Sequence, residues 1–165
     1  MLVLSQNNFD AIRTHGELTY PNECCGVLLG HVAGTHHLVS EVVRCSNTRG
    51  QSARTRYRIA PKELIDVQRE ARDRGLSIVG FYHSHPDAPP HFSRNDLDEA
   101  YWMGCSYVIA SVLRGCAADV RSYLLGGGEQ QRKFEEEGIR ILPNDRGGNG
   151  KVHSENSRRT ESLDR

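Results

Sequence analysis

The sequence shows no excess of charge of either sign, because Lys plus Arg and Asp plus Glu each number 21 among its 165 residues. A balanced charge gives no long-range attraction to nucleic acid or to an anionic membrane surface, so we expect neither as a partner. No apolar run approaches the roughly 20 residues that a membrane-spanning helix needs. The first residues also lack the charged start and long apolar core of a signal peptide. These absences predict a soluble, cytoplasmic protein.

Cysteine is present, but not in a pattern that indicates a disulfide framework or a zinc finger. The five cysteines are odd in number, and no two of them have the Cys-x-x-Cys spacing that marks many redox and structural zinc motifs. Adjacent cysteines such as Cys24 and Cys25 more often pack as small apolar residues. We therefore expect all five thiols to be reduced.

Apolar periodicity and turn residues divide the chain into helices and strands. Helices are predicted over residues 5–16, 61–72 and 96–102. Strands are predicted over residues 24–31, 35–45, 54–60, 76–82, 105–113, 118–125 and 132–142, with a break at glycines 126–128. This order predicts an α/β (α+β) fold, with a mixed β-sheet flanked by helices.

The composition changes near residue 143, where glycine, serine, asparagine and charged residues replace apolar ones. Such a segment has little apolar surface to bury. We therefore expect one domain over residues 1–142, which is long enough for a substantial core, and a disordered tail over residues 143–165.

The most informative stretch follows the predicted strand over residues 76–82. His83 and His85 are separated by one residue, so on an extended chain their side chains point to the same face. Pro86 ends the strand, and Ser93 and Asp96 then open a helix-compatible segment. Two imidazoles and one carboxylate are the three-ligand set of a catalytic zinc site that keeps its fourth position for water.

Each of these residues also has an ordinary explanation. A histidine at a strand end is usually a surface or hydrogen-bonded residue. Ser93, with Asp96 three residues later, matches a helix N-cap and its capping-box partner. The combination of all four residues favours the metal site, and Ser93 could serve both purposes. His91 is expected to be a loop residue lining the cleft, since the ligand set is complete without it.

The pattern His83-Ser84-His85-Pro86, six residues, Ser93, two residues, Asp96 resembles the metal motif of the JAMM/MPN-plus zinc metalloprotease family. The upstream run Glu23-Cys24-Cys25-Gly26 resembles that of small stand-alone bacterial members, some of which trim ubiquitin-like sulfur-carrier proteins. The likeness runs from about residue 2 to about residue 142. It implies a deaminase-like architecture with the site at the edge of the sheet. The Pro-Cys-x-x-Cys element of zinc deaminases themselves is absent, which disfavours base deamination.

The resemblance also implies a role for each matched residue. Zn²⁺ would be bound by His83, His85 and Asp96, which lowers the pKa of a bound water from about 15.7 toward about 7. Glu23 would act as the general base. Ser93 would donate a hydrogen bond to the developing oxyanion.

The implied reaction is hydrolysis of the amide after the C-terminal Gly-Gly of a ubiquitin-like or sulfur-carrier protein. Arginines at 44, 49, 54, 56 and 58, with no acidic residue between them, are either a solvated basic edge or a docking face for an acidic partner. Two alternatives are a deconjugating peptidase of a defence-associated ubiquitin-like system and a non-catalytic MPN-type scaffold. All five chemical positions are present, which argues against the scaffold. The sequence leaves the oligomeric state open, including a homodimer.

Overall fold

The computed structural model describes residues 1–128 and 131–144. Within these residues one mixed sheet of eight strands is accompanied by three α-helices. The strands are β1 Leu2–Ser5, β2 Cys25–Ala33, β3 His36–Cys45, β4 Ser77–Pro86, β5 Ser106–Leu113, β6 Cys116–Gly128, β7 Gln131–Glu137 and β8 Ile139–Leu142. The helices are α1 Gln6–Thr19, α2 Pro61–Asp73 and α3 Arg94–Asp98. The predicted mixed sheet with flanking helices is confirmed.

The strands follow the order β7-β6-β5-β4-β2-β3-β1-β8. Strands β7 and β8 lie at opposite ends of this order although Gly138 alone separates them in the chain. The two ends of the sheet must therefore come together, which curls the sheet. At its centre, β4 pairs with β2 in antiparallel and with β5 in parallel orientation. Both sides of the strand that carries the histidines are thus hydrogen-bonded.

The core lies in two layers, one on each face of the sheet. On one face, Ile12 of α1 packs in a cluster with Tyr82 and Leu28. On the other face, Ala71 of α2 packs in a cluster that includes Phe81. Because alternate strand residues share a face, His83 and His85 continue the Phe81 face of β4.

The helix ends have local chemical causes. The hydroxyl of Ser5 accepts a hydrogen bond from the backbone N–H of Asn8 at the start of α1. Pro61 occupies the first turn of α2, where a missing N–H costs nothing. Gly75 follows α2 with a φ of 71°, a left-handed conformation that glycine adopts without strain. As a result the chain turns back into β4.

The structure corrects one predicted strand. Residues 54–60 form no strand within the described part of the chain. The Asn47 side chain donates to the carbonyl of Arg56 and accepts from the N–H of Arg58. These two backbone groups are therefore bonded to a side chain and not to a neighbouring strand. Tyr57 and Ile59 nevertheless pack against the core.

Other differences concern element boundaries. Strand β1 was not predicted, because four residues are too few to show the alternation of apolar and polar residues that marks a strand. It forms by pairing with β3 and β8. The helix predicted over residues 96–102 is instead the shorter α3, and α1 extends three residues beyond the predicted end. Strand β6 continues through the glycines expected to break it. The strand predicted over residues 132–142 is two strands that Gly138 separates.

All five cysteines lie in the described residues and are free, as predicted. None of the helices in the described ranges combines the length and apolar character that crossing a membrane requires. The predicted tail over residues 143–165 falls, from residue 145 onward, outside the described residues.

Candidate metal centre and active site

The end of β4 and the start of α3 bring His83, His85 and Asp96 together. The two Nε2 atoms are 3.1 Å apart. The Asp96 carboxylate reaches both rings, with Oδ1 3.3 Å from Nε2 of His83 and Oδ2 3.4 Å from Nε2 of His85. Tetrahedral zinc, with bonds of about 2.0–2.1 Å, places its ligand atoms about 3.3 Å from one another. The spacing of these three side chains therefore fits a zinc ion.

A hydrogen bond outside the cluster sets the tautomer of His85. Its Nδ1 lies 2.9 Å from the carbonyl oxygen of Pro89, and a carbonyl can only accept. The proton of the neutral ring is therefore on Nδ1, which leaves a lone pair on Nε2 facing His83 and Asp96. Bonds of this kind orient histidines that bind metals.

The charges in the cluster match a cation. Burial would raise the pKa of Asp96, but hydrogen bonds with His83 and His85 hold that pKa well below its usual range. Burial lowers the pKa of His83 despite the neighbouring carboxylate. The pKa of His85 is raised, since Asp96 and the Pro89 carbonyl outweigh burial. An ionised aspartate beside a buried histidine with a lowered pKa supplies the deprotonated groups that metal binding requires.

Glu23 adds a buried carboxylate to the same centre. Its side chain is 4% exposed, and its Oε2 has no hydrogen-bond partner among the described residues. Burial raises the pKa of Glu23 to about 8, the charge of His85 opposes that rise, and the charge of Asp96 adds to it. An unpartnered buried carboxylate is costly to maintain. Such groups concentrate at functional sites.

Backbone contacts hold Glu23 beside the histidines. The Ser84 hydroxyl, located between His83 and His85, accepts from the N–H of Cys24, and the Ser84 N–H donates to the Cys24 carbonyl. The N–H of Glu23 itself donates to the Ala53 carbonyl at 2.7 Å. Ser84, which holds Cys24 and the start of β2, lies in β4 between the two histidines. The position of Glu23 is therefore fixed relative to His83 and His85.

Ser93 occupies the N-cap of α3 in the structure. Its hydroxyl accepts from the N–H of Asp96 at 3.2 Å, and Asp96 Oδ2 accepts from the N–H of Ser93 at 2.5 Å. This capping box orients the Asp96 carboxylate. The described contacts of the Ser93 hydroxyl do not include Glu23, His83 or His85. His91 is exposed and lies outside the cluster.

Tyr57 is a site residue that the sequence did not reveal. Its ring stacks on His83 with centroids 4.6 Å apart and an interplanar angle of 23°. Tyr57 also lines a cleft of about 310 Å³ that opens beside the cluster. The other lining residues are Arg49, Arg58, Ile59, Leu64, Phe81, Glu99, Tyr101, Trp102 and Tyr107. The signal in the sequence is the alternation of Tyr57 and Ile59, which indicates a shared face and not a contact with a histidine.

The arginine-rich segment is tied to the loops around the centre. Arg49 forms an ion pair with Glu99. Arg54 lies 3.6 Å from the carboxylate of Asp87, two residues beyond His85. Arg56 donates to the side chain of Asn95 in α3 at 3.4 Å. Three of the five arginines thus have partners on the site loops, and the segment borders the centre.

Comparison with known proteins identifies the domain type. The family described as prokaryotic homologs of the JAB domain matches residues 5–126. A solution structure of a protein from Desulfitobacterium hafniense aligns with a TM-score of 0.74 and 25% identity, covering 87% of this chain and 94% of that one. A JAB1/MPN domain protein from Archaeoglobus fulgidus aligns with a TM-score of 0.54 and 16% identity over 86% of this chain and 97% of that one, a likeness of fold.

Three curated relatives carry the names of enzymes. Desampylase of Haloferax volcanii is 35% identical over 55% of this chain and 63% of its own length, so the match spans less than two thirds of that relative. The CysO-cysteine peptidase of Mycobacterium tuberculosis is 28% identical over 78% of this chain and 85% of its own length. A probable TtuB-protein conjugate cleaving protease of Thermus thermophilus is 28% identical over 79% and 80% of the two chains.

Proposed function

The chain belongs to the prokaryotic homologs of the JAB domain, and from this premise we propose that it is a zinc-dependent metallopeptidase. Its proposed reaction is hydrolysis of the amide that follows the C-terminal Gly-Gly of a ubiquitin-like or sulfur-carrier protein. The observation that carries this proposal is the convergence of His83, His85 and Asp96 beside the unpartnered buried carboxylate of Glu23.

The three ligand side chains support the choice of metal. A zinc ion bound by His83, His85 and Asp96 would supply Lewis-acid chemistry and acidify a water molecule. Two nitrogen ligands and one carboxylate are a donor set found in catalytic zinc sites. Calcium and magnesium prefer oxygen donors, so the two imidazoles argue against them.

Glu23 supplies the proton transfers. A cation held by the cluster would lower the pKa of Glu23, as the charge of His85 does, and so keep its carboxylate ionised. The carboxylate then accepts a proton from the water as the water oxygen bonds to the scissile carbonyl carbon, and returns a proton to the departing amine as the C–N bond breaks. The backbone bonds through Cys24 and Ser84 keep the carboxyl group beside the histidines. Burial excludes competing hydrogen bonds from its Oε2, so that oxygen remains free for the reacting water.

The substrate follows from the relatives and from the cleft. Two of the relatives described above are named for their substrates, one as a CysO-cysteine peptidase and one as a probable TtuB-protein conjugate cleaving protease. The cleft beside His83 has aromatic walls, which suit an extended chain without side chains at the scissile bond. A Gly-Gly terminus meets that requirement, whereas a branched residue would meet the ring of Tyr57.

The arrangement of His83, His85, Asp96 and Glu23 also argues against the alternative that the protein is a non-catalytic scaffold. A protein that served only for assembly would have no need of three ligand side chains at metal spacing, nor of a glutamate buried without a partner. Both features cost stability. The enzyme is therefore the better interpretation.

The test is incubation of the purified protein with a CysO–cysteine conjugate, read by intact mass. We expect release of cysteine, and its loss when a chelator removes the metal. A variant conjugate with the penultimate glycine replaced by valine should not be cleaved. Failure of the wild-type protein to cleave this conjugate and other Gly-Gly carrier fusions, with zinc bound, would contradict the proposal.

A further inference from the structure

A second groove of about 450 Å³ runs along the outer side of α2. Four residues of the helix line it, at positions 65, 68, 69 and 72. Residues three, four and seven apart lie on one face of a helix. The remaining lining residues are Leu76, Ser77, Ile78 and Trp102. The groove therefore lies between one face of α2, the start of β4 and the segment after α3.

The face of α2 that lines this groove is not the face that packs on the sheet. Leu64, Val67 and Ala71 contact the core cluster. Ile65, by contrast, is 54% exposed, although burying such an apolar side chain is favourable. Trp102 on the opposite wall is half-buried. The groove thus presents apolar surface that the domain itself leaves uncovered.

The charged residues that line the groove have one sign, while acidic residues such as Asp66 and Glu70 lie elsewhere on α2. The two charged residues that line it are Arg69 and Arg72, and both are exposed. Within the described residues the ion pairs of this region join Lys62 to Asp66 and Arg74 to Glu41. Arg69 and Arg72 belong to neither pair. Their guanidinium groups can therefore form charge-assisted bonds with carboxylates of a partner.

The groove continues the cleft of the candidate active site. Trp102 lines both, and the neighbouring residues Leu64 and Ile65 line one each. Tyr57, which lines the cleft, also stacks on His83, so one wall of the cleft lies against the cluster. An extended tail that places its last carbonyl near His83 and follows the cleft outward is therefore led toward the face of α2.

We propose that this α2 groove seats the folded body of the ubiquitin-like carrier whose C-terminal tail lies in the cleft. This inference rests on the proposed function and names the surface that gives that function its specificity. The partner chemistry is an apolar residue of the carrier set against Ile65 and Trp102, with carboxylates against Arg69 and Arg72. Such pairing of apolar and complementary charged groups is typical of specific interfaces.

The test compares two substrates. One is the CysO–cysteine conjugate, and the other is a synthetic peptide bearing only its C-terminal tail and the final cysteine. In the variant Arg69→Glu/Arg72→Glu, we expect KM for the conjugate to rise at least about tenfold, with kcat nearly unchanged. Ile65→Asp should act in the same direction. For both variants kcat/KM for the tail peptide should stay within about twofold of wild type, which also shows that the variants are folded.

The matched control is Arg140→Glu, which makes the charge change of each single substitution, and half that of the double variant, at an exposed residue of β8. It should leave the kinetics of both substrates unchanged. Conjugate KM values that are unaffected in the α2 variants, or that rise equally in Arg140→Glu, would overturn the docking surface while leaving the peptidase intact. If wild-type protein cleaves neither substrate, the proposed function fails, and the docking proposal fails with it.

Discussion

The metal-ligand cluster and the arginine-rich segment next to it are built in opposite ways. His83 and His85 lie on a strand bonded on both sides, and Asp96 lies in a helix fixed by its capping box. Residues 46–60 contain a single 3₁₀ turn, Gly50–Ser52, among irregular backbone. Side-chain contacts and a few backbone hydrogen bonds hold this segment in place. The sheet therefore fixes the proposed catalytic groups, and the irregular segment borders the cleft beside them, a division common in enzymes.

The largest effect on turnover is expected from substitution of Glu23, the proposed general base. Glu23→Gln keeps the shape of the side chain but removes its proton acceptor, so kcat should fall by about 10²–10⁴-fold while zinc remains bound. Turnover and metal content should be measured on the same preparation. Glu70→Gln, a neutralisation on the exposed surface of α2, is the control and should behave as wild type. Wild-type turnover in Glu23→Gln would remove Glu23 from the mechanism.

Substitution of Ser93 distinguishes a catalytic role of its hydroxyl from a structural role as the N-cap of α3. If its hydroxyl also stabilises the developing oxyanion, Ser93→Ala should reduce kcat on the order of 10²-fold, with zinc content retained. The loss of a cap alone would cost about 0.5–2 kcal/mol of stability and would disturb Asp96. A drop in melting temperature and zinc content, with little change in turnover per bound zinc, would assign Ser93 to the cap. Ser93→Thr keeps the hydroxyl and should retain both properties.

Tyr57 lies where the two regions meet, since it belongs to the irregular segment and stacks on His83. Tyr57→Ala removes the ring that packs against this imidazole. We expect zinc affinity to fall by about 10-fold, the lower end of effects seen for residues around metal ligands. A competition titration against a zinc chelator measures it. Tyr57→Phe keeps the ring, and equal loss in both variants would show that stacking is not the cause.

The smallest expected effect is a pH-dependent change in the stability of the metal-free protein. Burial raises the pKa of Glu23 from 4.5 to about 8, so between these values the folded state holds a proton that the unfolded state has lost. Stability must then fall as pH rises through this window. Metal-free Glu23→Gln should therefore gain melting temperature over metal-free wild type at pH 8, and the difference should vanish near pH 4. A difference that does not depend on pH would mean that Glu23 is not buried as described.

The regular parts of the molecule were the predictable ones. Helix α2 and strand β4 were predicted because each carries a long, consistent apolar pattern. The same-face placement of His83 and His85 follows from the strand period alone. By contrast, β1 has four residues and is defined by its partners. The alternation of Tyr57 and Ile59 is typical of a strand, but the Asn47 side chain forms hydrogen bonds with the backbone of this segment, and no strand forms.

The parts of the centre that could not be predicted depend on contacts between distant residues. Tyr57 meets His83 across 26 positions of sequence (83 − 57), and no local pattern encodes that stack. The burial of Glu23 arises from the β2–β4 pairing and from the segment that bonds its N–H at Ala53. The family resemblance implied a site at the edge of the sheet, whereas the structure places the histidines at the end of β4, a strand that is paired on both sides.

Zinc content tests the central claim most directly. Elemental analysis of wild-type protein should give close to one zinc per chain, and His83→Ala and Asp96→Ala should lose it while keeping the far-ultraviolet circular dichroism of the wild type. His91→Ala, which removes an exposed histidine outside the cluster, should retain the metal. Protein that cannot be loaded with zinc, or that keeps it after the loss of His83 or Asp96, would contradict the metal centre.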